Sequence, residues 1–288
     1  ELLKKGSRSD PDNFRGLLIS DHIGKAASKT LHSRVHGTYV SFVPQAQCGA
    51  VPKRGTDLAS HLLRSVQDYC KMNEYSLAII FIDLTKAFDK AVREIVFGWY
   101  FSQEGLSKGQ ILEKGTCKLI EYGLEEESAR NLAQNIMNGG VLEICNVDPC
   151  VRDLIKSLHD KSCFKVADVD EYLIVERGGR QGCVFGGTIF NIAYAAALKA
   201  FYARMHELEV PVVMKYVAGA APGVAYTTRP AVAERDAIVL DVTFVDDEAI
   251  ALIAKSPKHL SHKITVAVDA LRKTLADYGM TINWNPGK

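Results

Sequence analysis

Three carboxylates set the chemistry this chain could perform. Asp83 ends the apolar run Leu77-Ala78-Ile79-Ile80-Phe81-Ile82, and Asp246-Asp247 falls between the apolar runs 239–245 and 249–253. Runs this short, rich in β-branched and aromatic residues, read as buried strands. Two of them flanking two residues read as a hairpin with both carboxylates at its turn. Carboxylates at the ends of apolar strands are costly to bury without compensation, and a divalent cation is the usual compensation. If strand 77–82 lies beside the hairpin, all three acids converge at one end of a sheet. Two Mg²⁺ ions would then convert a repulsive cluster into a phosphoryl-transfer site. Mg²⁺ prefers one or two carboxylates plus substrate phosphates to a full protein cage. Taken singly, each acid has an ordinary alternative, because Asp after a strand also caps helices and forms turns.

The elements that must position these acids alternate between helix and strand. Helical periodicity is expected over 22–36, and again over 57–73 with Thr56 or Asp57 as its cap. Between them, 44–57 is punctuated by Pro and Gly and reads as a loop. A short helix is expected near 86–98, and two or three more within 103–150. One of these, near 124–138, opens on Glu125-Glu126-Glu127, which suits the positive end of a helix dipole, and stops at Asn138-Gly139-Gly140. Residues 151–159 look helical and 163–176 look like a hairpin. A glycine-rich turn at 177–183 precedes an Ala-rich helix at about 187–206. Segment 207–237 reads as irregular, helix 257–278 ends at Gly279, and 280–284 could form a last strand. The mixture, with its hairpin, points to an α+β fold with an antiparallel sheet packed on helices.

The 288 residues suffice for one large domain or two small ones. No apolar run approaches membrane-spanning length, so no membrane partner is expected. The first residues lack the layout of a signal peptide and an initiator Met, which reads as a piece of a longer polypeptide. A formal net charge of +1 is lower than a dedicated nucleic-acid binder would carry, so such contact would come from a local patch. The seven cysteines contain no CxxC pair and fit no common zinc module. An odd count without a framework suits a reducing, intracellular location, nuclear or cytoplasmic.

Five segments together resemble one family. Phe81-Ile82-Asp83-Leu84-Thr85-Lys86-Ala87-Phe88-Asp89 resembles the F-x-D-L-x-K-A-F-D motif of reverse transcriptases, especially those of non-LTR retrotransposons and group II introns. Gly179-Arg180-Gln181-Gly182-Cys183, followed by Phe190-Asn191, is similar to their G-x-R-Q-G-C…F-N motif. Phe244-Val245-Asp246-Asp247 resembles Y/F-x-D-D. Phe14-Arg15-Gly16-Leu17-Leu18-Ile19-Ser20 is similar to the Y-R-P-I-S-L finger motif, with Gly16 in place of Pro. Tyr278-Gly279-Met280-Thr281-Ile282-Asn283 through Lys288 is similar to G-L-x-x-N…K. The motifs occur in the family's order across residues 14–288.

The resemblance implies a right-hand polymerase core, with fingers at approximately 1–76 and 107–178 and palm at approximately 77–106 and 179–288. It implies an RNA-directed DNA polymerase that adds dNTPs to a primer 3′-hydroxyl, with an RNA template, a DNA primer or target and two Mg²⁺ ions, for which Mn²⁺ can substitute. Asp83 and Asp246 would be the metal ligands, helped by the Leu84 backbone carbonyl, with Asp247 a weaker ligand or a turn residue. Phe88 would be the steric gate that excludes a 2′-hydroxyl, although an aromatic on an amphipathic helix is commonly core. Arg180, Gln181 and Gly182 would meet the nucleotide, and Arg15 would grip its triphosphate with Lys4 or Lys5 nearby. Arg54 would touch template phosphate, and Phe244 would line the template–primer site. Lys288 would protonate the leaving pyrophosphate.

The departures from the pattern carry consequences. Glu248 follows the acid pair where a small or hydroxyl residue is usual, so it either adds charge at the metal site or points away. The resemblance leaves a thumb after Lys288, and an endonuclease before Glu1, to other parts of a longer polyprotein. Two further readings remain. One is a catalytically inactive fold serving as a nucleic-acid-binding or interaction module. The other is a viral-type RNA-dependent RNA polymerase, against which Phe88 speaks.

Overall fold

The computed structural model describes residues 2–3, 9, 14–15, 21–101, 105–160, 162–165, 170–179, 182–217 and 234–284. In chain order the elements begin with β1 (Leu2–Leu3), β2 (Phe14–Arg15), α1 (His22–Phe42), β3 (Gln47–Cys48), α2 (Thr56–Met72) and β4 (Ser76–Ile82). A helical stretch follows: α3 (Ala87–Lys90), α4 (Arg93–Phe97), α5 (Lys108–Glu121), α6 (Glu126–Ile136), α7 (Val141–Ile144) and α8 (Pro149–His159). Next come β5 (Ser162–Lys165), β6 (Tyr172–Val175), α9 (Gly186–Glu207), β7 (Met214–Val217) and β8 (Glu234–Ala237). The chain closes with β9 (Asp241–Phe244), β10 (Asp247–Ala254) and α10 (Pro257–Asp277). The mixed α+β class agrees with expectation. Among the described residues no helix is long and apolar enough to cross a membrane.

The chain forms two compact units. One comprises residues 1–43, 86–196 and 276–280, and the other 44–85, 197–275 and 281–288. They part at other positions than the functional segment boundaries expected near 76, 106 and 178.

The second unit holds a four-stranded sheet in the order β3-β9-β10-β4. β10 pairs antiparallel with both β4 and β9, while β3 runs parallel to β9. The expected antiparallel sheet is therefore mixed. Its parallel member is only two residues long and sits in a Pro- and Gly-rich stretch, too short for any periodicity to show. β10 is buried along its length after an exposed Asp247. Ala251 and Ile253 pack on Val66, Tyr69 and Cys70 of α2. Neighbouring strand residues point to opposite faces, so Ile250 and Leu252 line the other side.

In the first unit, Arg93 of α4 is 1% exposed. Its guanidinium donates to the carbonyls of Gly178, His159 and Val175 at 2.6, 2.8 and 2.9 Å. A buried cation tolerates this position because carbonyl dipoles from three segments replace its water.

Five local expectations need correction. The helix expected over 22–36 continues to Phe42, with Tyr39 buried on the added turns. The helix expected over 86–98 is two short helices, because the Ala91 carbonyl accepts from Gly178 N–H at 2.7 Å instead of continuing the helix. The cap of α2 is Gly55, with Thr56 its first residue. Residues 280–284 form no strand, only a single bridge between Ile282 and Leu84. Part of the segment expected to be irregular is ordered, since β7 and β8 pair antiparallel; residues 218–233 lie outside the described set.

Candidate functional site

The acidic hairpin lies in the second unit. Phe244 pairs with Asp247, leaving Val245 and Asp246 as a two-residue turn. Only Asp246 is thus in the turn, and Asp247 opens β10, where the sequence reading put both acids in the loop. Val245 has φ +60°. Two-residue hairpin turns need positive φ to match the twist of the strands, and Gly or Asn usually supplies it. A β-branched residue there costs roughly 1–2 kcal/mol. Strain of this kind persists where the surroundings over-determine it.

Those surroundings come from the 44–55 loop. Val245 N–H donates to the Cys48 carbonyl at 3.1 Å, so the turn rests on β3. Gly49, at φ +74°, lies directly beneath, where a Cβ would stand 2.5 Å from Val245 Cγ2. Arg54 Nη1 donates to the carbonyls of Pro44 and Gln47 at 2.7 and 3.3 Å. The guanidinium expected at template phosphate thus ties the loop that carries the hairpin.

Asp83 follows β4 directly. The register ends with Glu248 paired to Ile82, so Asp247 and Asp83 each stand one residue beyond the last pair, at the same end of the sheet. Asn283 fixes Asp83 twice: its Nδ2 donates to Oδ2 at 2.8 Å, and its backbone N–H donates to the Asp83 carbonyl at 2.8 Å. Thr85 N–H donates to the Thr281 carbonyl at 2.9 Å. The bridge thus engages the backbone on either side of Leu84 and leaves the Leu84 carbonyl out of its ladder. Carboxylates and a backbone carbonyl are oxygen donors, which would suit a hard cation such as Mg²⁺ if brought together. Among the described residues, no three or more His, Cys, Asp or Glu side chains are arranged to hold a metal ion by themselves. Any ion here would need further oxygens from substrate.

Glu248 takes the second of the two alternatives left open for it. It is 2% exposed and, as a strand neighbour of Asp247, turns to the opposite face. There it joins buried Gln47, Asp241 and Thr243. Tyr202 of α9 donates to Asp241 Oδ1, and Thr243 Oγ1 donates to Oδ2 at 3.1 Å. Burial pushes the Asp241 carboxyl up to about 6, against the opposing effect of those two hydrogen bonds. Burial also pushes the Tyr202 phenol up, and the Asp241 and Glu248 charges add to that.

No protein-family model matches the chain, and no curated protein does.

Of the remaining sequence-derived site residues, Phe88, Gly182 and Arg15 belong to the first unit and Phe244 to the hairpin of the second. Phe88, on α3 in the first unit, is half-buried, with its ring 4.8 Å from that of Phe190. Its carbonyl accepts from Gly179 N–H at 2.7 Å, so the glycine turn docks on the Phe88 backbone. Asn191 is fully buried and donates to the Tyr39 hydroxyl at 2.8 Å. Gly182 is exposed at φ +90°. Phe244 is half-buried beside Gly49. Arg15 ends β2 in the first unit. Lys4, Lys5, Arg180, Gln181 and Lys288 lie outside the described residues. Sequence reasoning missed Gly49 and Val245 as supports of the hairpin, and it quoted Asn283 without giving it a role. A Gly three residues from a Pro could have flagged the tight loop, but nothing local ties it to residue 245.

Proposed function

We propose that the chain is the core of an RNA-directed DNA polymerase of reverse-transcriptase type. The observation carrying this reading is the Asp246-Asp247 hairpin tip, raised on a strained Val245 at the end of the sheet where Asp83 follows β4. Bound Mg²⁺ would supply Lewis-acid activation of the attacking hydroxyl and charge neutralisation on the phosphates. Asp83, Asp246 and the Leu84 carbonyl would hold the ions, with Asp247 beside them. Asn283 would fix the rotamer of Asp83, since carboxylate ligands are themselves oriented by hydrogen bonds. Val245 and Gly49 would hold the Asp246 backbone still. Phe88 would carry the preference for a 2′-deoxy sugar. The five ordered motifs support the same reading.

Primer extension on poly(rA)/oligo(dT) with dTTP and Mg²⁺ tests it. The natural chain is expected to extend the primer, and Asp246→Asn to lower the rate by on the order of 100-fold or more, as loss of one group stabilising transition-state charge does. Equal extension by the two proteins would overturn the assignment. Silence from both would favour the inactive nucleic-acid-binding module.

A further inference from the structure

His159, at the end of α8, is 1% exposed. Its Nδ1 lies 2.8 Å from the Ile155 carbonyl. A carbonyl only accepts, so Nδ1 carries the hydrogen, and in the neutral ring Nε2 is a bare acceptor. Cys183 Sγ stands 3.9 Å from that Nε2. The thiol is the partner with a hydrogen to give. The ring is held in place by Phe97, stacked at 5.5 Å, and by the edge of Phe185 at 5.7 Å. Its own carbonyl is fixed by Arg93 and Ser162, at 2.8 and 3.0 Å.

The pair opens onto space. Cys183 is half-exposed, and with His159 it lines a groove of about 700 Å³ walled by Leu31 of α1 and by Leu154 and Leu158 of α8, with Lys25 also lining it. Leu154 and Leu158 are 48% and 42% exposed. Arg93 holds the His159 carbonyl, and Lys25 lines the groove. A neutral imidazole with Nε2 turned to the thiol can take its proton as a general base while a new bond to sulfur forms.

We propose that Cys183 and His159 form a nucleophilic site that takes up apolar α,β-unsaturated carbonyl compounds seated in this groove. Sγ bonds to the β-carbon and the C=C π pair shifts toward the carbonyl. The thiol proton passes through His159 Nε2 to the α-carbon, so no group leaves and nothing is oxidised. Both residues belong to the first unit.

The full chain, exposed briefly to limiting N-ethylmaleimide or N-phenylmaleimide and mapped by peptide mass spectrometry, gives a modification rate for each cysteine. Cys117, Cys150 and Cys163 are exposed and serve as internal references. Exposure alone would rank Cys183 behind all three. Cys183 is instead expected to react about tenfold faster or more, within the range of general-base assistance, with a larger margin for the phenyl reagent. His159→Gln should erase the margin. Should that variant fail to fold by circular dichroism, Leu154→Asp should abolish the phenyl preference and leave the ethyl rate intact. A natural chain in which Cys183 reacts no faster than the exposed thiols overturns the proposal, as does a folded His159→Gln protein that keeps the full margin.

Discussion

Adjacent acids in this chain meet opposite fates. Asp247 is exposed at the hairpin tip, while Glu248 is buried on the far face with Asp241. A strand separates neighbours by side, so two carboxylates one bond apart need not share an electrostatic environment. Asp241 makes the energetic consequence measurable. Its ordinary value is 3.8, and in the fold it is raised to about 6. The folded state therefore keeps a proton that the unfolded chain releases. Its contribution is fully present below the ordinary value and is lost as pH rises through about 6. A shift of this size corresponds to about 3 kcal/mol. Relative to Asp241→Asn, which keeps an acceptor for Tyr202, the natural chain should lose about that much stability between pH 4 and pH 7. Urea titrations of both proteins across this range check it. Parallel curves would mean that Asp241 is already ionised in the fold.

At the scale of elements, the hairpin depends on a neighbour that is distant in sequence. β3 contributes little pairing of its own, yet Gly49 leaves the space in which Val245 sits. An alanine there meets both a left-handed backbone and a side chain 2.5 Å away. Gly49→Ala should cost roughly 2–4 kcal/mol from these two sources together. It should also lower primer extension, because the turn carrying Asp246 must shift. An unchanged urea midpoint would show that the hairpin does not rest on β3. Three long helices were legible from their spacing: α2, α9 and α10 begin and end within two residues of the sequence expectation, whereas α1 runs six residues past it. The split between α3 and α4 was not legible, because the Ala91 carbonyl is claimed by Gly178, 87 residues away in sequence.

For the molecule as a whole, charge sets the terms of any nucleic-acid contact. With a formal net charge of +1, this chain has little long-range attraction for a polyanion. Binding to primer–template, followed by fluorescence anisotropy against salt, should give a log–log slope of magnitude below about 4, which corresponds to few displaced counterions. A much steeper slope would reveal a concentrated basic surface. All seven cysteines are free, so the fold draws no stability from disulfides.

The sequence by itself determined the α+β class, the extents of α2, α9 and α10, and three acids at the ends of apolar strands. Those features are written in local periodicity and in the abrupt end of apolar runs. Only the tertiary structure decided which acids share a face, that Asn283 holds Asp83, that Arg54 braces a loop, and that Cys183 meets His159. β10 shows why. It is buried on both sides after Asp247, so the alternation that would have distinguished its faces is missing from its residues. Pairing between strands and the approach of remote side chains are selected by packing, and spacing along the chain does not encode them.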